Sequence, residues 1–174
     1  MIRMRRCDSC DVEMTERMAT VEAPYLYDLS GLRNAYLAGI LVRQCPRCHA
    51  ESPVIPRIAE LHRVMARHLV HKPGLLRGDE IRFLRKHAGF PARKFAALLG
   101  VDPSHLSRVE NGHIRALGPT ADRLARAVAA ATLDWKTARE TLLRVAAEIE
   151  EKSLREARQL PLFRLVRNRW QTAA

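Results

Sequence analysis

The chain contains four cysteines, which form two Cys-x-x-Cys pairs, Cys7 with Cys10 and Cys45 with Cys48. A Cys-x-x-Cys turn points two sulfur atoms at one spot, and two such turns supply the four soft ligands that tetrahedral Zn²⁺ prefers. The pattern therefore predicts one structural zinc ion held by all four cysteines. A module of this size buries little apolar surface, so the metal would contribute most of its folding free energy.

These cysteines have three other interpretations. The run from Cys45 to His49 matches the c-type haem attachment pattern, but that chemistry leaves Cys7 and Cys10 unexplained. The same run resembles a thioredoxin-like redox turn, although no βαβ unit is visible around it. A catalytic zinc needs an open ligand position, which four thiolates do not leave. Structural zinc is the preferred interpretation, and His49 is then a surface residue.

The segment between the cysteine pairs predicts two β-strands. Apolar and β-branched residues concentrate over residues 19–27 and again over residues 36–42, with a polar turn between them. Two strands joined by a turn would bring the cysteine pairs together. Prolines then close the module, which predicts a zinc-binding domain over residues 1–56.

A connecting helix is expected next, within a linker of residues 57–74. Apolar residues from Ile58 to Leu69 recur at helical spacing and predict a helix over residues 58–71. Three histidines lie on or near it: His62, His68 and His71. A histidine metal site is conceivable there, but solvated helix faces carry such residues routinely, and we prefer that interpretation.

The most specific pattern lies over residues 75–133. Apolar residues at helical spacing give three successive inner faces: Ile81 and Leu84, then Phe95, Ala96 and Leu99, then Leu106 and Val109. Gly100 suits a tight turn between the second and third helices, where a positive φ costs little. Asp102 is a good N-cap for the third helix. This order predicts a helix-turn-helix domain.

The predicted third helix leaves four side chains on its outer side: Ser104, His105, Ser107 and Arg108. In helix-turn-helix proteins that side enters the major groove. Arg108 is the best candidate for reading a base, because its fork matches the O6/N7 edge of guanine. Arg93 and Lys94 open the second helix and suit phosphate contacts. Each outward residue also has a plainer interpretation. Ser104 would satisfy first-turn amides, Ser107 would be a solvated hydroxyl, His105 would be a surface histidine, and Arg108 would pair with a carboxylate.

Charge favours a polyanionic partner. The 174 residues carry a net charge of +11, and residues 75–133 hold ten Lys and Arg against five Asp and Glu. No apolar run resembles a secretory signal or a membrane span, so we expect the protein in a reducing cytoplasm, with no membrane partner. No nucleophile-base constellation is visible, and we therefore expect no enzymatic activity.

The end of the chain is expected to be helical as well. A helix over residues 120–131 would cover the core through Ala121, Leu124 and Val128. Residues 134–174 then predict a helical C-terminal extension that ends in a short basic amphipathic tail, residues 162–170. The extension would pack on its own domain, or form a dimerisation helix whose tail docks on a partner. A basic amphipathic segment can also lie on a membrane surface, but this one is too short for that role.

Two family resemblances follow from these motifs. Residues 75–131 look like the Cro/phage-repressor (XRE-type) helix-turn-helix family, through Ile81-Arg82-x-Leu84-Arg85, Leu99-Gly100-Val101 and the run from Leu106 to Gly112. With the double Cys-x-x-Cys in front, the full order over about residues 5–131 resembles MqsA-type (YgiT-type zinc finger) antitoxins and regulators. The fold class expected is mainly α, with a small β-containing zinc domain, a five-helix XRE-type domain and the helical extension.

The resemblance implies a homodimer that binds a palindromic operator on double-stranded DNA and represses its own operon in the bacterial nucleoid. It also implies a possible toxin partner, and the alternative is a stand-alone regulator without one. In such proteins Glu110 would pair with Arg85, which makes both structural. The family usually has Thr-Gln where this chain has Pro91 and Ala92. The phosphate contact of that Gln is therefore lost or passes to Arg93.

Overall fold

The computed structural model describes residues 6–133 and 160–172. In these ranges there are seven β-strands and five α-helices: β1 Thr15–Met18, β2 Tyr25–Leu26, β3 Tyr36–Ala38, β4 Leu41–Gln44, β5 Glu51–Val54, α1 Ile58–His71, α2 Gly78–His87, α3 Ala92–Leu99, α4 Pro103–Glu110, α5 Pro119–Leu133, β6 Phe163–Val166 and β7 Arg169–Thr172. The prediction of a mainly α fold understated this strand content.

The chain forms two compact units. The β-rich unit comprises the described residues of Met1–Tyr27, Asn34–Leu61 and Leu160–Ala174. The helical unit comprises those of Asp28–Arg33 and His62–Gln159. Within the part of the chain that the structure describes, no helix has the length and apolarity needed to cross a bilayer.

Two sheets build the β-rich unit, with strand orders β1-β4-β5 and β2-β3-β6-β7. The predicted strand over residues 19–27 is wrong in its bounds, because a turn interrupts it. Thr20 N donates to Ala23 O at 3.2 Å, and Ala23 N donates to Thr20 Oγ1 at 3.1 Å. β1 therefore ends at Met18 and β2 begins only at Tyr25.

Gly39 divides the apolar run over residues 36–42 into β3 and β4, which lie in different sheets. Its φ is +76°, and a Cβ at this position would lie 2.6 Å from the carbonyl oxygen of Leu165. A residue with a side chain would therefore face both backbone strain and a clash with β6. The glycine lets the backbone bend where strand β6 passes.

The predicted helical extension is wrong for residues 163–172, which form an antiparallel β-hairpin from β6 and β7. β6 also pairs in parallel with β3, where Leu37 is the partner of Phe163. The buried side chains of Phe163 and Trp170 lie on one face of the hairpin. This segment forms strands because its backbone pairs with other strands of the β-rich unit. The expected helix over residues 134–159 lies outside the described residues.

The helical unit follows the periodicity of the sequence. α1 spans Ile58–His71, the range that its apolar spacing predicts. The three predicted inner faces of α2, α3 and α4 are all buried. Gly100 ends α3 in the left-handed region with φ 65°, and Asp102 caps α4. α2 to α5 are four helices within residues 75–133, and α1 brings the described total to five.

The inner face of α5 differs from the predicted one. The buried residues of this helix are Asp122, Ala125, Arg126, Ala129 and Ala130, while Leu124 is 38% exposed. The prediction from apolar spacing was wrong for this helix because a charged pair, which apolar spacing does not reveal, lies on the face toward the core. Arg126 Nε donates to Asp122 Oδ1 at 2.6 Å, one helical turn away.

Candidate metal centre and nucleic-acid interface

The first cysteine pair sits in a tight turn. The carbonyl of Cys7 accepts a hydrogen bond from the amide of Asp11 at 2.8 Å, and the amide of Cys7 donates to Val12 O at 2.9 Å. Asp11 closes the turn with a φ of 51°. This backbone leaves the sulfurs of Cys7 and Cys10 facing the same point.

The second pair repeats this geometry. The carbonyl of Cys45 accepts from the amide of His49 at 2.9 Å, and the amide of Cys45 donates to Ala50 O at 3.0 Å. His49 has a φ of 58°, the counterpart of Asp11 in the first turn. Two turns with the same hydrogen bonds, 38 positions apart in the chain, form one cluster. His49 is exposed, as the sequence predicted.

Strand pairing brings the two turns together. β1 begins at Thr15, shortly after the first turn, and β4 ends at Gln44, directly before the second. Thr15 and Gln44 are partners in the antiparallel β1-β4 ladder. Cys7, Cys45 and Met14 are buried together beside this end of the ladder.

The four sulfurs are close enough to share one ion. The Sγ atoms of Cys7, Cys10, Cys45 and Cys48 all lie within 4.8 Å of one another, and Cys7 Sγ is 3.6 Å from Cys48 Sγ. A tetrahedral ion with metal–sulfur bonds of about 2.3 Å requires sulfur–sulfur separations of roughly 3.8 Å. Among the residues that the structure describes, this cluster is the one group of His, Cys, Asp or Glu ligands with metal-binding geometry. His62, His68 and His71 do not form another.

The thiols also perturb one another's ionisation. The backbone amide of Cys48, followed by that of Arg47, lowers the pKa of Cys45 to about 7. The thiol of Cys48 is the main cause that raises the pKa of Cys10 to about 12. Crowded thiols thus lose a first proton readily and a later one with difficulty, unless a cation neutralises the thiolates. Such a cluster fits a soft divalent metal ion.

The start of α4 is fixed by its N-cap. Asp102 Oδ1 accepts from the amides of Ser104 at 2.7 Å and His105 at 3.4 Å. It also accepts from the Ser104 hydroxyl at 2.5 Å, and this bond is the first cause that lowers the pKa of Asp102. Ser104 is exposed and His105 half-buried, and the hydroxyl of Ser104 already has a partner within the turn.

Further along α4, the Arg108 and Ser107 side chains are exposed. Asn111 Nδ2 donates to Ser107 Oγ at 3.3 Å. The guanidinium of Arg108 makes no hydrogen bond or ion pair with any residue in the described ranges. α4 therefore presents one cation that its own fold does not use.

Arg93 and Lys94 are exposed in the first turn of α3. Lys94 Nζ lies 5.9 Å from the centroid of the Phe90 ring, a cation–π distance. The residue at the N-cap, Pro91, provides no side-chain acceptor. Both cations thus stand at an uncapped helix start, where amides and positive charge favour anions.

A carboxylate between two arginines holds the C-terminal end of α4. Arg85 Nε and Nη2 donate to Glu110 at 2.7 and 2.8 Å, and this contact raises the pKa of Arg85. Arg82 Nη2 donates to Glu110 O and to Asn111 Oδ1, both at 2.5 Å. The structure thus contains the Arg85–Glu110 pair that the resemblance implies. The role of Arg82 was missed, although its spacing of three from Arg85 signals a shared helix face.

The match with known proteins is confined to the helical unit. A family model described as helix-turn-helix, HTH_3, matches residues 81–135. This segment is a helix-turn-helix domain. It covers α2 from Ile81 onward, α3, α4 and α5, with α3 and α4 as its two central helices. No curated protein and no solved structure matches the chain. The helix-turn-helix family is one of DNA-binding regulators, which is the function indicated for this chain.

Proposed function

We propose that this protein is a sequence-specific transcriptional repressor that reads DNA with α4. The observation that carries the proposal is the exposed, unpaired guanidinium of Arg108 on the central helix of a helix-turn-helix domain. In this domain type the second of the two central helices enters the major groove. Arg108 then reads guanine through its O6 and N7 atoms.

The other exposed groups divide by the part of DNA that they reach. Ser107 and His105 share the outer side of α4 with Arg108 and contact bases or phosphates nearby. Ser104 contributes less, because its hydroxyl is engaged by Asp102. Arg93 and Lys94 bind phosphates, which positions the domain without specifying sequence.

The arginine pair around Glu110 supports this docking. Arg85 and Arg82 tie the C-terminal end of α4 to α2 through Glu110 and Asn111. A base-reading helix must be held rigidly, because a bidentate contact fails when its geometry shifts. Glu110 and Arg85 are therefore structural, and they act on DNA only by positioning Arg108.

We further propose that the cysteine cluster holds one structural Zn²⁺. Four sulfurs within 4.8 Å of one another leave no ligand position for water or substrate. Cys7, Cys10, Cys45 and Cys48 would fix the two turns against the β1-β4 ladder, and the ion would contribute folding free energy to the β-rich unit. Metal analysis of protein purified without chelator tests this: one zinc per chain is expected, and bound haem or no metal would contradict it.

A homodimer on a palindromic operator is the assembly expected of such a repressor, because two-fold symmetric sites match two-fold symmetric proteins. Sedimentation of the DNA complex should give two chains per duplex. One chain per duplex at saturation would contradict this assembly.

An antitoxin role is the finer form of the proposal, and it rests on the order of modules, four clustered cysteines followed by a helix-turn-helix domain. The test is co-expression with the product of a neighbouring short reading frame. Rescue of growth arrest and co-purification are expected for an antitoxin. A gene with no such neighbour indicates a stand-alone regulator.

The decisive experiment selects duplexes from a random pool with the full chain and then measures their dissociation constants. Arg108→Ala should weaken the selected duplex by roughly 1–3 kcal/mol and relax the preference at one base pair. Arg63→Ala, which removes an exposed arginine of α1, is the matched control and should change neither. Failure to enrich any sequence, or equal loss on selected and scrambled duplexes for Arg108→Ala, would reject base reading by α4.

A further inference from the structure

Apart from Arg47, which is exposed in the second cysteine turn, the described arginines of the β-rich unit fall into two groups. Arg6, Arg17, Arg43 and Arg57 are each paired with a carboxylate within 3.0 Å. The side chains of Arg164, Arg167 and Arg169 are exposed and make no hydrogen bond or ion pair with any residue in ranges 6–133 and 160–172. All three belong to the β6-β7 hairpin.

The other face of this hairpin is firmly held. Phe163 is fully buried and Trp170 is 5% exposed. The indole N–H of Trp170 donates to Pro56 O at 3.0 Å, and Arg57 Nη1 donates to Asn168 O in the turn at 2.7 Å. The buried side chains and these two hydrogen bonds thus fix the position of the hairpin within the β-rich unit, while its charged face stays exposed.

The register places two of the free cations side by side. Arg164 lies opposite Gln171, and Arg169 lies opposite Val166, so both arginines occupy the outer face on adjacent strands. Diagonal neighbours of this kind are about 7–8 Å apart. Like charges at this distance repel, and no carboxylate of the hairpin offsets them, since residues 163–172 include no Asp or Glu. An anion bound between them would remove the repulsion.

Arg167 occupies a position that arginine rarely takes. It has a φ of 47° and the following Asn168 a φ of 59°, as in two-residue hairpin turns that favour Asn and Gly. A long side chain in the left-handed region costs free energy, and such positions cluster at functional sites. The turn therefore holds a third cation at the tip of the hairpin.

Protection of a sheet edge explains only part of this pattern. Charged residues on edge strands prevent strand addition, and Arg169 lies on the edge strand β7. Arg164 lies on β6, which has a neighbour on both sides, and Arg167 lies in the turn. Neither residue protects an edge.

We infer that the outer face of this hairpin, with Arg164, Arg167 and Arg169, binds the phosphate backbone of duplex DNA, in addition to the contact that the helix-turn-helix domain makes. Three unpaired arginines in a hairpin that contains no Asp or Glu match the charge of a phosphate chain. This inference rests on the proposed function, because it needs a chain that binds DNA.

The test compares two variants of the full chain that lose the same charge. R164Q/R169Q alters the hairpin face, and R63Q/R67Q removes two exposed arginines of α1 as the control. With selected and scrambled duplexes, the hairpin variant should bind both about 5- to 20-fold more weakly, and its log–log salt slope should fall by about 2. R63Q/R67Q should stay within about twofold of the parent, and R164K/R169K should retain most of the affinity, since phosphate binding needs charge rather than a fork.

Each other outcome would overturn the inference. Equal losses in R164Q/R169Q and R63Q/R67Q would mean that only net charge matters. Unchanged DNA binding in R164Q/R169Q, with loss of binding to anionic phospholipid vesicles or to a polyglutamate peptide, would assign the hairpin to a different partner. Should Arg108→Ala abolish sequence preference while R164Q/R169Q has no effect, the inference fails and the proposed function stands. If the parent chain binds no duplex, both the inference and the proposed function fail.

Discussion

Arg126 lies on the buried face of α5 with its Nε 2.6 Å from Asp122 Oδ1, and both side chains are almost fully shielded from solvent. The same guanidinium donates to carbonyls at the end of α1 and just beyond it, including Val70 at 3.1 Å and Gly74. Asp122 in turn accepts the amide of Leu76 at 2.6 Å. One charged pair therefore provides hydrogen-bond partners for the backbone carbonyls and the amide in the segment between α1 and α2.

Breaking this pair should be costly. Arg126→Met leaves Asp122 buried without its cation and several carbonyls without a donor, and we expect a loss of about 3–5 kcal/mol in the free energy of unfolding. Arg123 lies on the same helix, three positions before Arg126, but it is exposed. Arg123→Met is therefore the matched control and should change stability by less than about 0.5 kcal/mol. Urea denaturation followed by circular dichroism measures both. Similar midpoints for the two variants would show that the pair is dispensable.

Gly78 marks the closest approach of α2 and α4. A Cβ on Gly78 would lie 1.8 Å from the carbonyl oxygen of Val109, so Gly78→Ala must push the helices apart. We expect a destabilisation of about 3 kcal/mol or more and weaker DNA binding, because α4 would shift. Gly118→Ala is the control, since nothing lies within 4 Å of its added Cβ. Thermal unfolding that gives equal midpoints for both variants would contradict this account.

Metal binding by the cysteines should depend on pH in a defined direction. Thiolates are the ligands, and the pKa of Cys10 is raised to about 12 while that of Cys45 is lowered to about 7. Protons must therefore leave when the ion binds, and apparent affinity should rise with pH. Calorimetry in buffers of different ionisation enthalpy counts the protons released. Cys48→Ser should weaken binding, whereas His49→Ala should not, and pH-independent affinity would exclude thiolate ligation.

The N-cap of α4 provides a second pH effect. The folded-state pKa of Asp102 is lowered from its ordinary value of 3.8, first by the Ser104 hydroxyl. Its contribution to stability is thus present above that ordinary value and is lost as pH falls through the lowered pKa. Asp102→Ala should lower the unfolding midpoint at neutral pH, and the gap to the parent should close in acid. Asp102→Asn keeps an acceptor and should show a smaller loss; a gap that widens in acid would refute the capping role.

Arg93 should behave differently from Arg108 in DNA binding. Arg93→Ala removes the phosphate contact that we propose at the start of α3, so binding to all duplexes should weaken about equally. The salt slope should fall by about 1, because one fewer counterion is released. Titrations at several salt concentrations on selected and scrambled duplexes measure both effects. If Arg93→Ala instead alters base preference, the domain docks in another orientation.

Local sequence was sufficient to predict much of the helical unit and the two cysteine turns. Gly100, Asp102 and the apolar residues of α2 to α4 act on backbone and neighbours a few positions away, so their spacing predicts the helices directly. The cysteine pairs are local turns in the same sense. The inner face of α5 could not be predicted from local spacing, because Arg126 and Asp122 are polar residues whose partners lie more than 45 positions earlier in the chain.

The β-rich unit depended on pairing between distant segments, and there the tertiary structure decided the outcome. Phe163, Val166 and Trp170 recur at helical spacing, whereas Phe163 and Leu165 alternate as in a strand, so the local pattern permits both structures. Pairing with β7 and with β3, about 125 positions earlier, makes this segment a strand. The turn sequence Arg167-Asn168 also lacks the Asn-Gly signal of a hairpin turn. Arginine at a positive φ costs free energy, whereas glycine adopts that conformation freely, so the sequence did not predict this turn. Helix caps and cysteine turns are thus determined by local sequence, whereas strand register arises from contacts that only the folded chain brings together.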